Sequence, residues 1–246
     1  MKGKLYLIPV TLGGRDYEAV IPGKVLEITR NLRFFIVEEI RSSRRYLRLI
    51  DPSFPLNDTW FGLLNEHTER NDISHLLQPA IEGNDIGLMS EAGLPCIADP
   101  GALLVAEAHR KKIQVIPLSG PSSIIMALIS SGFNGQSFTF NGYLPVDHIE
   151  RTNKLKDLEK KAREGYSQIF METPYRNGKL LESILSVCQS DTELCIAADI
   201  TLPGESIITK KISGWKTEKP ELNKRLVVFV MQASGKSKIS YNRIKS

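Results

Sequence analysis

The sequence predicts an α/β protein made of two α/β domains, and three observations carry that expectation. Short β-rich runs alternate with segments of helical period through the first half of the chain, a pattern that builds a mostly parallel sheet. A weakly charged, glycine-containing stretch at 133–145 interrupts the alternation and reads as a crossover between two units. A second α/β set follows, and its return to period-two patterning near the end predicts a mixed sheet with antiparallel strands. The expected boundaries are 1–118 for the first domain and 119–232 for the second, with a polar, lysine-containing and loose tail at 233–246.

In the first domain, Leu5–Ile8, Arg33–Val37, Ile86–Met89 and Gln114–Pro117 are expected as strands. Helical period appears around Val25–Thr29, Arg44–Ile50, Ile73–Glu82 and Leu103–Arg110. Pro22 suits the first turn of the first helix, and Gly83 sits where the third is closed. The run Leu118–Gly132 reads as a strand exit, a tight turn and a buried helix with a serine cap. The second domain should hold a charged helix around Ile149–Glu164, a strand at Gln168–Met171 and a helix near Gly178–Gln189. Strands at Leu194–Ala198, Ser206–Thr209 and Leu226–Met231 complete it. The helix over Arg151–Arg163 carries six basic residues interleaved with acids, which predicts a solvated face.

Composition bounds the class. With 41% hydrophobic and 24% charged residues the chain is an ordinary globular protein with apolar material for one sizeable core or two smaller ones. A net charge of +4 fits an anionic partner without requiring one. Cys96, Cys188 and Cys195 form no CxxC pair, and the four histidines do not cluster with them, so neither a disulfide framework nor a metal site is expected. The N-terminal apolar run is too short for a signal peptide and no stretch suits a membrane span, so a cytoplasmic, membrane-free protein is expected.

The chemistry is expected in the loops. The apolar run Ile86–Met89 empties into Ser90–Gly101, a loop of small residues, prolines and two carboxylates at the edge where open α/β sheets bind ligands. Gly93, Pro95, Pro100 and Gly101 also suit a plain turn, and both readings stay open on the loop alone. Backbone amides at Ser119–Ser123 suit either a ligand or an ordinary helix cap. No G-x-G-x-x-G follows a strand, Gly235-Lys236-Ser237 lacks the upstream glycine of a P-loop, and no G-x-S-x-G occurs. Nicotinamide dehydrogenases, P-loop hydrolases and nucleophile-elbow hydrolases are thereby disfavoured.

Seven blocks then fall in a recognisable order: Leu5-Tyr-Leu-Ile-Pro9 with Gly13, Glu38-Glu-Ile-Arg41, Glu66-His-Thr-Glu69, Ser90-Glu-Ala-Gly-Leu-Pro95 with Ala98-Asp-Pro-Gly101, Pro117-Leu-Ser-Gly-Pro-Ser122, Tyr143-Leu-Pro145 and Glu172-Thr-Pro-Tyr-Arg176. From Lys4 to Met231 the chain resembles the ribosomal RNA small-subunit methyltransferase I family, within the wider tetrapyrrole-methylase fold. The resemblance implies two α/β domains of the tetrapyrrole-methylase type with S-adenosylmethionine in the cleft between them. It also implies a homodimer, and 16S ribosomal RNA or the small ribosomal subunit as partner, methylated on a cytidine 2′-hydroxyl.

Residue by residue, the match assigns the cofactor to Ser90, Glu91, Ala92, Gly93, Pro95, Ile97 and Asp99, to Ser119, Gly120 and Ser122, and to Tyr143, Leu144, Glu172 and Arg176. For the last two, a local ion pair is the structural alternative. Glu38, His67 and Glu69 match polar positions suited to accepting a proton, and Glu39, Arg41, Arg44 and Arg45 suit substrate contact. Ala198-Asp-Ile-Thr-Leu202 departs from the family's Arg-Glu-Leu-Thr-Lys by losing both cations. That loss leaves three readings open: an RNA 2′-O-methyltransferase, a tetrapyrrole or other small-molecule methyltransferase, and a non-catalytic cofactor- or RNA-binding module.

Overall fold

The computed structural model describes residues 1–233, so the expected loose tail lies, but for Ala233, outside the described residues. The chain divides into two compact units, Met1–Ser122 and Ser123–Ser246.

The first unit runs β1 (Lys4–Ile8), α1 (Gly23–Asn31), β2 (Phe34–Val37), α2 (Ile40–Ile50), β3 (Trp60–Leu63), α3 (Arg70–Leu76), α4 (Gln78–Ile81), β4 (Ile86–Met89), α5 (Gly101–Arg110) and β5 (Gln114–Pro117). Its five strands lie in the order β3-β2-β4-β1-β5 and every pairing is parallel, with Leu5 opposite both Ile86 and Val115. A parallel sheet is covered on both faces, which is why β4 is wholly buried and unbroken by a polar residue. Strand alternation separates the two cores. Phe35 and Val37 face Val25 and Leu47 of the α1–α2 layer, whereas Ile36 faces Leu77, Ala80 and Leu104 of the α3–α5 layer. The chain leaving β1 therefore turns to one face and the chain leaving its neighbour β4 turns to the other. Such a divergence opens a crevice at the carboxyl ends of the strands.

The expected elements of this unit form with three differences. The helix expected over Ile73–Glu82 is two, α3 and α4, because Pro79 has no N–H to continue the ladder through Leu77. Pro22 is the N-cap of α1, one position earlier than the first turn, and its carbonyl accepts from Val25 N–H and Leu26 N–H. The edge strand β3 was not expected. Its four residues include Gly62, and only pairing with β2 holds them extended.

The second unit runs α6 (Ser123–Ser131), β6 (Phe138–Tyr143), α7 (His148–Arg163), β7 (Ser167–Met171), α8 (Asn177–Val187), β8 (Glu193–Ala198), β9 (Ser206–Lys211), α9 (Ile212–Thr217) and β10 (Val227–Gln232). The sheet order is β6-β7-β10-β8-β9, with β6 and β7 parallel and all other pairs antiparallel. Its mixed character follows the expectation, but the stretch read as a crossover holds β6, paired through Phe138 with Ser167 and Phe140 with Ile169. A register shift after Phe140 and a left-handed Gly142 mask its period in the sequence. The core gathers Leu155, Leu158, Phe170, Ile184, Trp215 and Phe229, with Phe170 and Phe229 stacked 5.7 Å apart.

The face of α7 is not uniformly solvated. Arg151 is buried, giving Nε–H to Ser183 Oγ at 3.0 Å and Nη1–H to the Val146 carbonyl at 2.7 Å. Glu159 is also buried and accepts from Gln189 N–H at 2.7 Å and from the Thr192 hydroxyl. Charge counting along the helix misses both because the partners come from other elements. No helix of the described residues is long and apolar enough to cross a membrane.

Candidate active site at the carboxyl edge of the first sheet

The loop after β4 is held in an unusual shape by its own carboxylate. Gly93, Cys96 and Ala98 adopt φ values of 70°, 70° and 63°, a region that costs energy for the latter two. Asp99 offsets this by accepting from Cys96 N–H at 2.8 Å and Gly101 N–H at 2.7 Å. Burial pushes the Asp99 carboxyl above its ordinary value despite those donors. The same loop is tied to the chain leaving β1, where Val10 N–H reaches the Gly93 carbonyl at 3.0 Å. On the other side of β1, Gly120 packs so closely that a Cβ there would lie 2.2 Å from Pro9 Cβ. The loops after β4, β1 and β5 thus meet at one edge.

Two cavities open on this edge, and Glu91 lines both. The first, about 560 Å³, is acidic: Glu38, Glu39, Asn65, Glu66, Glu91 and Asp99 line it. Glu38 is half-buried at the end of β2 and accepts from Glu91 N–H at 3.2 Å. Burial, then the neighbouring Asp99 and Glu91 charges, raise its pKa. Glu39 differs although it is adjacent. Its carboxylate caps α2, accepting from Arg41 N–H at 2.7 Å and Ser42 N–H at 2.5 Å, and those bonds hold its pKa below the ordinary value.

The second cavity, about 520 Å³, lies between the chain leaving β1 and α2. Arg15, Arg45 and Arg48 line it together with Gly13 and Gly14, and among the described residues Glu91 is its only carboxylate. Ser42 joins the two cavities by donating its hydroxyl to Glu91 Oε1 at 2.7 Å.

Of the acceptor residues expected from sequence, Glu38 and Glu39 line the acidic cavity and Arg45 lines the basic one. Arg41 and Arg44 are exposed on α2. Neither His67 nor Glu69 lines either cavity. His67 is exposed in a turn, 3.6 Å from Glu66, and Glu69 starts α3 without a capping bond from its side chain. Of the cofactor residues, Ser90, Glu91 and Asp99 line these cavities. Gly93 and Pro95 are buried in the loop that frames them, where Ala92 and Ile97 are exposed. Ser119 is exposed and Ser122 buried.

In the second unit Tyr143 is exposed, whereas the Leu144 side chain is part of the core. Glu172 and Arg176 form the local ion pair that was the structural alternative for them, with Glu172 buried. The departing segment 198–202 is also locally satisfied: Asp199 accepts from Arg225 Nε–H at 2.7 Å and Leu226 N–H at 2.9 Å. Sequence reasoning missed Arg15, Ser42, Asn65 and Glu66. A Gly-Gly-Arg at a strand exit is a recognisable signal for an anion site, and it was there to be read. Asn65 and Glu66 depend on a turn that no local pattern announces, and Ser42, in the first turn of α2, is drawn in by its bond to Glu91.

The loop geometry fits a bulky, mostly neutral group lying along Ser90–Ala98, since small residues and left-handed backbone keep side chains out of the way. The sequence profile of the Tetrapyrrole (Corrin/Porphyrin) Methylases matches residues 4–214. A ribosomal RNA small subunit methyltransferase I from Vibrio cholerae is 31% identical over 82% of this chain and 67% of its own length. The protein of that name from Escherichia coli O157:H7 is 30% identical over 94% of this chain and 78% of its own. Among solved structures, the methyltransferase CobJ aligns with a TM-score of 0.63 at 16% identity, covering 94% of this chain and 95% of that one. The uroporphyrin-III-C-methyltransferase of Thermus thermophilus aligns with a TM-score of 0.55 at 17% identity, covering 95% and 93%. These two likenesses show the fold. Family profile, relatives and fold agree, and the chain is a methyltransferase of the tetrapyrrole methylase family, belonging to its ribosomal RNA small subunit methyltransferase I group.

Proposed function

We propose that the protein takes its methyl group from S-adenosylmethionine and places it on a ribose hydroxyl of small-subunit ribosomal RNA, with Glu38 as the base that accepts the hydroxyl proton. The observation that carries this reading is the half-buried Glu38 in an acidic cavity, its pKa raised above the ordinary carboxylate value by burial, in a chain whose relatives are named for ribosomal RNA. When bound, the donor supplies a methyl group already activated by its sulfonium charge. What the chain adds is placement and a proton acceptor.

In this reading the backbone of Ser90, Ala92, Gly93 and Ile97, with Ser119, Gly120 and Ser122, holds the donor. Asp99 shapes the loop, because its carboxylate is occupied by loop amides. In the second unit the Leu144 side chain belongs to the core and Glu172 fixes Arg176. Glu91 orients Glu38 through its N–H, and Ser42 orients Glu91. His67 and Glu69, outside the cavities, serve the RNA surface. We also propose, on the sequence resemblance, that the protein is a homodimer acting in the cytoplasm, the dimer being checked by gel filtration with light scattering.

Calorimetric titration of S-adenosylmethionine and S-adenosylhomocysteine tests the donor. Saturable binding of both is expected, followed by methyl transfer to undermethylated 30S subunits. Absence of binding to the intact protein would overturn the assignment of this donor.

A further inference from the structure

We propose that the cavity lined by Arg15, Arg45 and Arg48 is a phosphate seat, and that one nucleotide of a polynucleotide straddles Glu91 with its phosphate on the arginines and its ribose hydroxyl toward Glu38. This rests on the RNA reading above and adds the site that fixes the register of the strand.

Charge is sorted between two adjoining cavities. The acidic one has five carboxylates among its lining residues and no cation, while the basic one has three guanidinium groups and Glu91 alone against them. An anion entering this edge is repelled by the first and attracted by the second. The guanidinium groups of Arg15 and Arg45 have no hydrogen-bond or ion-pair partner among the described residues, so nothing among those residues competes for them. Arg48 donates one Nη1–H to the Pro52 carbonyl, which directs its group while leaving other donors free. Gly13, left-handed at φ 109°, and Gly14 let the backbone approach the same space.

The sharing of Glu91 sets the spacing. Its side chain holds Ser42 on the basic side, and its N–H holds Glu38 on the acidic side. A nucleotide carries a phosphate and a ribose hydroxyl one unit apart, which suits two seats separated by a single residue. Arginine forks match phosphate oxygens, so the cavity favours phosphate over a planar neutral acceptor.

The test uses the full chain and a short fluorescein-labelled RNA stem-loop, with anisotropy titrations over a series of salt concentrations. Arg15→Gln and Arg45→Gln are each expected to weaken binding about tenfold and to lower the salt slope by about 1, leaving S-adenosylmethionine affinity unchanged. Arg45→Lys should keep the slope and lose part of the affinity, since charge is retained and the fork is not. Lys179→Gln, an exposed cation of α8, should change neither.

Steep salt dependence that is unaltered by the arginine changes, or equally altered by Lys179→Gln, would overturn the phosphate seat while leaving the RNA reading standing. Salt-independent or absent RNA binding by the wild type would overturn both. Saturable binding of a free nucleoside monophosphate that Arg15→Gln abolishes, with RNA binding intact, would assign the cavity to a free phosphate ligand and overturn the strand-register role.

Discussion

Glu38 and Glu39 are neighbours with opposite electrostatics, and the difference is set by what each carboxylate touches. Glu38 is half-buried beside Asp99 and Glu91, so its folded pKa lies above the ordinary 4.5. A carboxyl shifted upward favours the protonated native state: its stabilisation is full below the unfolded pKa and is lost as pH rises through the folded value. At neutral pH the ionised Glu38 therefore opposes folding. Glu38→Gln should melt higher than wild type at pH 7, with the gap closing in acid, by scanning calorimetry. The same change should lower turnover about 10²–10⁴-fold and remove the acid limb of the pH–rate profile, whose midpoint in the wild type should lie above the ordinary carboxylate value. Glu39 runs the other way. Its lowered pKa, from the Arg41 and Ser42 amides, gives stability present above the unfolded pKa and lost as pH falls through the folded one. Glu39→Gln should therefore melt lower than wild type at pH 7.

Among the elements, the central strands carry most of the stability, and they are also where the sequence spoke most clearly. In β10, wedged between β7 and β8, Phe229 is fully buried and stacks on Phe170. Phe229→Ala should cost about 3–5 kcal/mol, read by denaturant unfolding through the buried Trp215. Continuous apolar runs such as Ile86–Met89 announced themselves because burial on both faces allows no polar residue. The edges β3 and β6 did not, since a four-residue strand holding Gly62 and a bulged one holding Gly142 depend on their neighbours for extension. The site divides in the same way. Glu38 and Ser90 were legible because they follow strands. The turn at 65–68, closed by Thr68 N–H on the Asn65 carbonyl at 3.0 Å, was not, so the sequence points to His67 as a proton-accepting position and passes over Asn65, which lines the cavity. No spacing rule shows that a carboxylate such as Asp99 will be occupied by its own loop.

For the whole molecule, the net charge of +4 is misleading as a guide to where an anion binds. Residues 234–246 contain Lys236, Lys238, Arg243 and Lys245 and no acid, which equals the entire excess, so residues 1–233 are formally neutral. A neutral body attracts a polyanion only through local sorting of charge, as in the basic cavity on α2, whereas the four terminal cations act without a fixed seat being needed. The two contributions separate by experiment. Deleting 234–246 should reduce the slope of log K against log salt by up to about 3, at about 0.7 for each cation on a single strand. It should also raise KM for RNA while leaving turnover at saturating RNA unchanged, because the removed charges are not among the groups that orient the hydroxyl. Arg15→Gln in the shortened chain should still lower the slope by about 1, as expected of independent sites. A shortened chain with the full wild-type slope would place the whole electrostatic attraction in residues 1–233, and the cavity arginines would then have to supply it.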